Sequence, residues 1–436
     1  MSASLFDSRR RPRPSRLLCW ALLSVSLGAR AELTLGEAER LALAADPAVV
    51  GAHARANALQ NQAVADGQLP DPKLGFGAYN LPLYDFSLDQ EAMTQLYTRV
   101  QQTFPRGHTL RYQRQHTEWL GKAELARAEL AGREIQRDVR TTFLELYYQQ
   151  RAAGVVAQSR DLFEQLVEIT RSHFATGRVS QQDVLQAQLE LSRLDDRATR
   201  IEGEIEEQRA QLARWLGDSA WQSVSEMFPV LPALPALTEL EAGLAQHPSV
   251  QTASAQLQAN QQMVKAAREQ YKPGWDVGLE YRKRFAEDAS GDDLPDMMAA
   301  MVTMDLPLFT GKRQDKRLAA SQQNAEAAHQ MREQRLRELR RTLQTEYARW
   351  RRLDEQATLY RDRLISEATD NSAAALHAYR SGISEFTTLM RARITELDVR
   401  LQDLRLRVDR AKAQAALLFL LPDRNVQLVP DEGANS

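Results

Sequence analysis

Trp275-Asp-Val-Gly-Leu-Glu-Tyr-Arg282 alternates between apolar and polar or small side chains, and that alternation decides how the chain is read. Successive residues of a β-strand point to opposite faces, so Trp275, Val277, Leu279 and Tyr281 share one face and Asp276, Glu280 and Arg282 the other. A following run, Met298, Ala300, Val302, Met304 and Leu306, keeps the apolar parity and leaves Asp305 opposite. The same parity occurs earlier. Leu74, Phe76 and Ala78 lie on one face of one run, and Leu96, Thr98, Val100 and Phe104 on one face of its partner. Lys73 and Arg99 point the other way, and Lys283 is the one charge out of step.

A basic side chain facing lipid at mid-bilayer costs roughly 2–4 kcal/mol, so charge confined to one strand face suits a transmembrane barrel with a wet interior. Arg99, Asp276, Glu280, Arg282 and Asp305 are therefore expected to line a lumen. Phe76, Tyr79, Tyr97, Phe104, Trp275 and Tyr281 read as aromatic girdles. The acidic linkers 82–92 and 285–296 are expected in solvent. A soluble pair of hairpins with one buried face would show the same alternation. Four strands cannot close alone, since membrane barrels need about eight, so several chains must share one barrel.

Outward from the hairpins, the chain is written twice. Val49, Pro72 and Gly77 recur as Val250, Pro273 and Gly278, and Phe174, Gly177 and Ala187 as Tyr379, Gly382 and Ala392. The stretches 108–174 and 312–379 contain no proline and read as very long helices. After each comes a heptad repeat: Val184, Leu191, Ala198, Ile205 and Leu212 with Ala187, Leu194, Ile201 and Trp215 beside them. The second copy has Met390, Leu397, Leu404, Ala411 and Leu418, with Ile394, Leu401, Val408 and Ala415. This is coiled-coil packing. The expected fold is mainly α: a duplicated repeat of long coiled-coil helices, with four strands per chain given to a barrel. The boundaries read as 32–230 for the first repeat (hairpin about 73–104), 231–423 for the second (hairpin about 274–308), and 424–436 as a tail.

The N-terminus reads as a secretory signal, 1–31: Arg9, Arg10, Arg11, Arg13 and Arg16, an apolar core from Leu17 to Leu27, and Ala29-Arg30-Ala31 for cleavage. Cys19, the single cysteine, lies within it, so no thiol chemistry is expected after processing. Without those residues the balance is 50 basic against 57 acidic, a charge of -7 that disfavours a nucleic-acid partner. No Gly-rich phosphate loop or G-x-S-x-G elbow occurs, and neither an enzyme nor a bound cofactor or metal is expected. The seven histidines show no ligand spacing. By parity Met297 and Met301 face the lumen, whereas Met298 and Met304 join the apolar set.

Across both repeats the chain resembles the TolC family of outer-membrane efflux proteins. The resemblance rests on the duplicated order of helix, hairpin, long helix, turn and helix. It rests also on two turn motifs, Phe174-Ala-Thr-Gly177-Arg-Val-Ser-Gln-Gln-Asp183-Val-Leu and Tyr379-Arg-Ser-Gly382-Ile-Ser-Glu-Phe. It implies a homotrimer with a 12-stranded barrel in the outer membrane and a helical tunnel through the periplasm. Such a duct would pass small molecules or metal cations delivered by a periplasmic adaptor and an inner-membrane pump. By the same resemblance Gly177, Val179, Gly382 and Ile383 form the periplasmic tip that meets the adaptor. Asp183 and Tyr379 would hold the tunnel entrance shut. The family's best-known member has an Arg and an acidic ring after the second turn; here Ser384, Thr388 and Arg391 stand instead. Leu69-Pro-Asp-Pro-Lys-Leu-Gly75 and Gln102-Thr-Phe-Pro-Arg-Gly107 look like the branch that serves heavy-metal pumps. Alternatives are a channel for type I protein secretion and a soluble periplasmic coiled-coil adaptor.

Overall fold

The computed structural model describes residues 32–44 and 46–421. The expected signal segment and the 424–436 tail lie outside the described residues. The chain opens with α1 (Leu35–Leu43) and α2 (Pro47–Asp66), then β1 (Lys73–Tyr79), β2 (Gln95–Phe104), the long α3 (Thr109–Ala175) and α4 (Gln181–Leu216). The order then repeats: α5 (Leu237–Gly243), α6 (Pro248–Glu269), β3 (Gly274–Arg284), β4 (Met297–Asp305), α7 (Gln314–Leu359), α8 (Ile365–Arg380) and α9 (Phe386–Phe419).

Local chemistry sets the helix starts. α2 and α6 each begin with a proline that has no N–H to leave unpaired. The residue before it caps in both cases: Asp46 accepts from the Ala48 N–H at 2.7 Å, and His247 accepts from Ser249 N–H at 3.3 Å. At 67 residues and 1.5 Å per residue, α3 extends about 100 Å. The second long helix is not continuous as its lack of proline suggests. A π-turn at Tyr360–Leu364 separates α7 from α8. Such a turn has no residue signature comparable to proline.

The strands form one antiparallel sheet in the order β1-β2-β3-β4, so the two hairpins lie side by side without a crossover. Leu74 pairs with Val100, which pairs with Leu279, which pairs with Ala300, an apolar row across all four strands. The adjacent row runs Gly75, Arg99, Glu280, Ala299. The main core lies elsewhere, among the helices. Phe143, Leu144 and Leu146 of α3, Leu212 of α4 and Leu389, Met390 and Val408 of α9 are all almost wholly buried. The heptad positions Ala187, Leu194 and Ile201 are buried too, with Gln208 occupying the next place in that row. A second cluster joins Leu240 and Leu244 to Leu339 and Leu343 of α7 and Leu417 of α9. Each fully buried Leu or Phe contributes about 1.5–3 kcal/mol relative to exposure.

Candidate functional site

Two regions hold the candidate residues: the charged face of the sheet and the turns at the far helix ends. Along β3, exposure follows parity. Phe76, Leu279, Met298 and Val302 are more than half exposed on the apolar face, whereas Glu280 opposite is only 4% exposed. Single exposed apolar residues are ordinary, but a whole sheet face of them marks a surface built for lipid.

Glu280 organises the charged face. Its carboxylate accepts from Arg99 Nε at 2.7 Å and from Arg282 Nε at 2.5 Å, and Tyr79 Oη lies 3.4 Å away. Arg99 also donates to Tyr79 Oη at 2.9 Å. Asp276 accepts from Thr103 Oγ1 at 2.5 Å and Gln101 Nε2 at 3.2 Å, and Asp305 lies 3.4 Å from Arg106. All five charged residues named from the sequence thus share this face, held by one another and by neutral partners.

Two girdle assignments are corrected. Tyr79 pairs in register with Gln95, and Tyr97 with Arg282, so both rings sit on the polar face, stacked with centroids 4.6 Å apart. Their hydroxyl-bearing rings suit a polar cluster as well as a membrane interface, and parity decides between them. Phe76, Phe104, Trp275 and Tyr281 keep the outward face. Lys283 also lies outward, level with Leu96, with Nζ 3.3 Å from Asp296 at the loop end of the strand. The linker acids Asp85, Asp89, Glu91, Glu287, Asp288, Asp292 and Asp293 are exposed.

At the other end of the molecule the two turns use one construction. Gly177 and Gly382 have φ of 71° and 73°, a conformation that costs a non-glycine residue strain. Arg178 N–H donates to His173 C=O, and Ile383 N–H to Ala378 C=O, both at 2.9 Å; the partners are 205 residues apart in the two repeats. Ile383 is 83% exposed. Val179 is half-buried, not exposed, because it lines a cleft of about 740 Å³ between the two turns.

Tyr379 and Asp183 both line this cleft but do not bond each other directly. Asp183 Oδ2 accepts from Ser180 N–H at 3.0 Å and Ser180 Oγ at 2.9 Å, closing a capping box at the start of α4. Tyr379 Oη instead meets His173 Nδ1 at 3.4 Å. Burial and the nearby Asp183 charge push the Tyr379 phenol up, against a hydroxyl contact from Thr170 that draws it down. The Ser180-x-x-Asp183 spacing is a legible capping signature; the His173 contact has no sequence signal.

An apolar-outside, polar-inside sheet set against long paired helices has the architecture of outer-membrane channels with a helical tunnel. Residues 240–421, within the second repeat, match the family described as outer membrane efflux protein. No curated protein sequence matches the chain. Among solved structures, a membrane protein from Pseudomonas aeruginosa superposes with a TM-score of 0.77 at 16% identity, covering 90% of this chain and 92% of that one. The outer membrane protein VceC from Vibrio cholerae follows at 0.75 and 19%, covering 89% and 96%. The MtrE channel of Neisseria gonorrhoeae, in its open state, gives 0.74 and 14%, covering 89% and 88%. Those likenesses show the fold. The fold is that of outer-membrane efflux channels, and the family match is confined to residues 240–421. That family is a class of channels, not of enzymes.

Proposed function

We propose that three copies of the chain pool their sheets into a 12-stranded barrel and serve as the passive exit duct of a three-component export assembly. The observation that carries this reading is the four-stranded sheet itself. β1 and β4 each leave one edge unpaired within the chain, and the sheet is apolar outside and charged inside. Unpaired edges are untenable in lipid until neighbouring copies close the ring, whereas the apolar face is suited to lipid and not to water. A soluble adaptor would leave that face in water.

The inner-membrane pump supplies energy and selects cargo, and a periplasmic adaptor joins it to the tip formed by Gly177, Val179, Gly382 and Ile383. Ile383, apolar and exposed beside the second turn, supports a docking role there. Asp183 and Tyr379 act as gate residues, each fastened to its own neighbour within one chain. Purification tests the duct: full-length protein should require detergent for extraction, run as a trimer and open discrete conductances in planar bilayers. A water-soluble monomer without conductance would refute it.

A further inference from the structure

The register sorts the inward charges of the sheet into two zones. Towards the helices, Asp276 and Asp305 are balanced by Lys73 and by Arg106, the latter 3.4 Å from Asp305. Towards the loops the inward charges are Arg99, Glu280, Arg282 and Arg284. Glu280, the single carboxylate of this zone, is already engaged by Arg99 and Arg282. Arg284 turns its Nε to the Pro295 carbonyl oxygen at 2.9 Å, an uncharged acceptor. The zone therefore carries two more positive than negative charges per chain.

We propose that Arg282 and Arg284 are specificity-determining residues, forming a basic belt through which the barrel passes anionic solutes more readily than cations. The belt rests on the trimeric barrel proposed above. In that barrel three copies place six surplus charges around one ring, and Glu280 to Arg284 spans about 13 Å along the strand. Low-dielectric walls focus such a field on the lumen. The exposed loop acids stand beyond the strand ends, where salt screens a charge within about 8 Å.

The favoured cargo carries carboxylate or phosphate, which the guanidinium fork matches in charge and shape. A lumenal shallow notch of about 210 Å³, lined by Arg99, Arg282, Glu280, Asp276, Met301 and Thr303, provides room beside the belt. Metal handling by the lumenal thioethers is opposed by the same geometry: Met297 pairs in register with Arg282, so a cation at that sulfur would sit beside a guanidinium.

The experiment measures reversal potentials in planar bilayers across a KCl gradient, using full-length wild type, Arg284→Gln, and the double variant Arg282→Gln with Arg284→Gln. Among the described residues, the Arg284 side chain bonds to a backbone carbonyl and not to Glu280, so its single variant keeps the Glu280 cluster intact. The chloride-to-potassium permeability ratio should fall about threefold or more in the double variant and move the same way in the single one. A smaller change in the double variant, with conductance preserved, overturns the belt. Absence of any wild-type conductance overturns the duct instead.

Discussion

Tyr79 and Glu280 hold matching places in the two repeats, 201 residues apart, and meet on the charged face of one sheet with the hydroxyl 3.4 Å from the carboxylate. The duplication thus returns to itself: the end of the first strand helps hold the centre of the third. Glu280 also separates two guanidinium groups that would otherwise face each other. Glu280→Gln should make the detergent-solubilised trimer dissociate at a lower temperature on gels. Tyr79→Phe should do so less, on the scale of one hydrogen bond, about 0.5–1.5 kcal/mol.

At the tip, Tyr379 touches His173 from one side and Phe386 from another, its ring centroid 5.8 Å from that of Phe386. Tyr379→Phe keeps the aromatic packing and removes only the hydroxyl. Combined with Asp183→Ala, it should raise single-channel conductance in planar bilayers severalfold. Unchanged conductance would remove both residues from the gate.

Gly382 has nothing within 4 Å of where a Cβ would stand, so a substitution there costs backbone strain alone. Gly382→Val should destabilise the turn locally by about 1–3 kcal/mol. Hydrogen exchange across 378–386 should quicken while the rest of α9 stays protected. Gly177→Val should act the same way at the first turn.

Phe143, 1% exposed in the middle of α3, packs among residues of both repeats. Phe143→Ala should cost about 3–5 kcal/mol, read as a lowered midpoint in guanidinium unfolding of the solubilised protein.

Acid should weaken the helical body through two groups. Burial and the nearby Arg133 charge lower His247 to about 4, so it stays neutral when folded and takes a proton more readily when unfolded. Its contribution is complete above about pH 6.5 and is lost as pH falls towards 4, on the order of 3 kcal/mol. Burial pushes Glu145 up, but Arg405 and Lys412 outweigh it and bring the carboxyl to about 2. That contribution is present above about 4.5 and is lost as pH falls towards 2. Melting followed by circular dichroism should fall between pH 6.5 and 4. His247→Asn, which can still cap α6, should remove that part of the fall.

Much of this was legible from spacing. Trp275, Val277 and Leu279 declared their face because a strand has a period of two. Met390, Leu397 and Leu404 declared theirs because a coiled coil has a period of seven. Tyr79 and Tyr97 were misplaced when their chemistry was weighed above their parity. The half-burial of Val179 depends on a turn from the other repeat, 200 residues away, which no local pattern encodes.

The sequence by itself determined the strand faces, the long helices and the glycine turns, because each follows from residues close together in the chain, and the duplication, because matching residues recur in the same order about 200 positions on. Only the tertiary structure decided which charges are matched. It set Glu280 between Arg99 and Arg282, turned Arg284 to a carbonyl, and gave Tyr379 to His173 instead of Asp183. Such pairings depend on register between distant strands and on the distance between helix ends, and a separation of a few ångströms decides whether two charges attract strongly or scarcely interact.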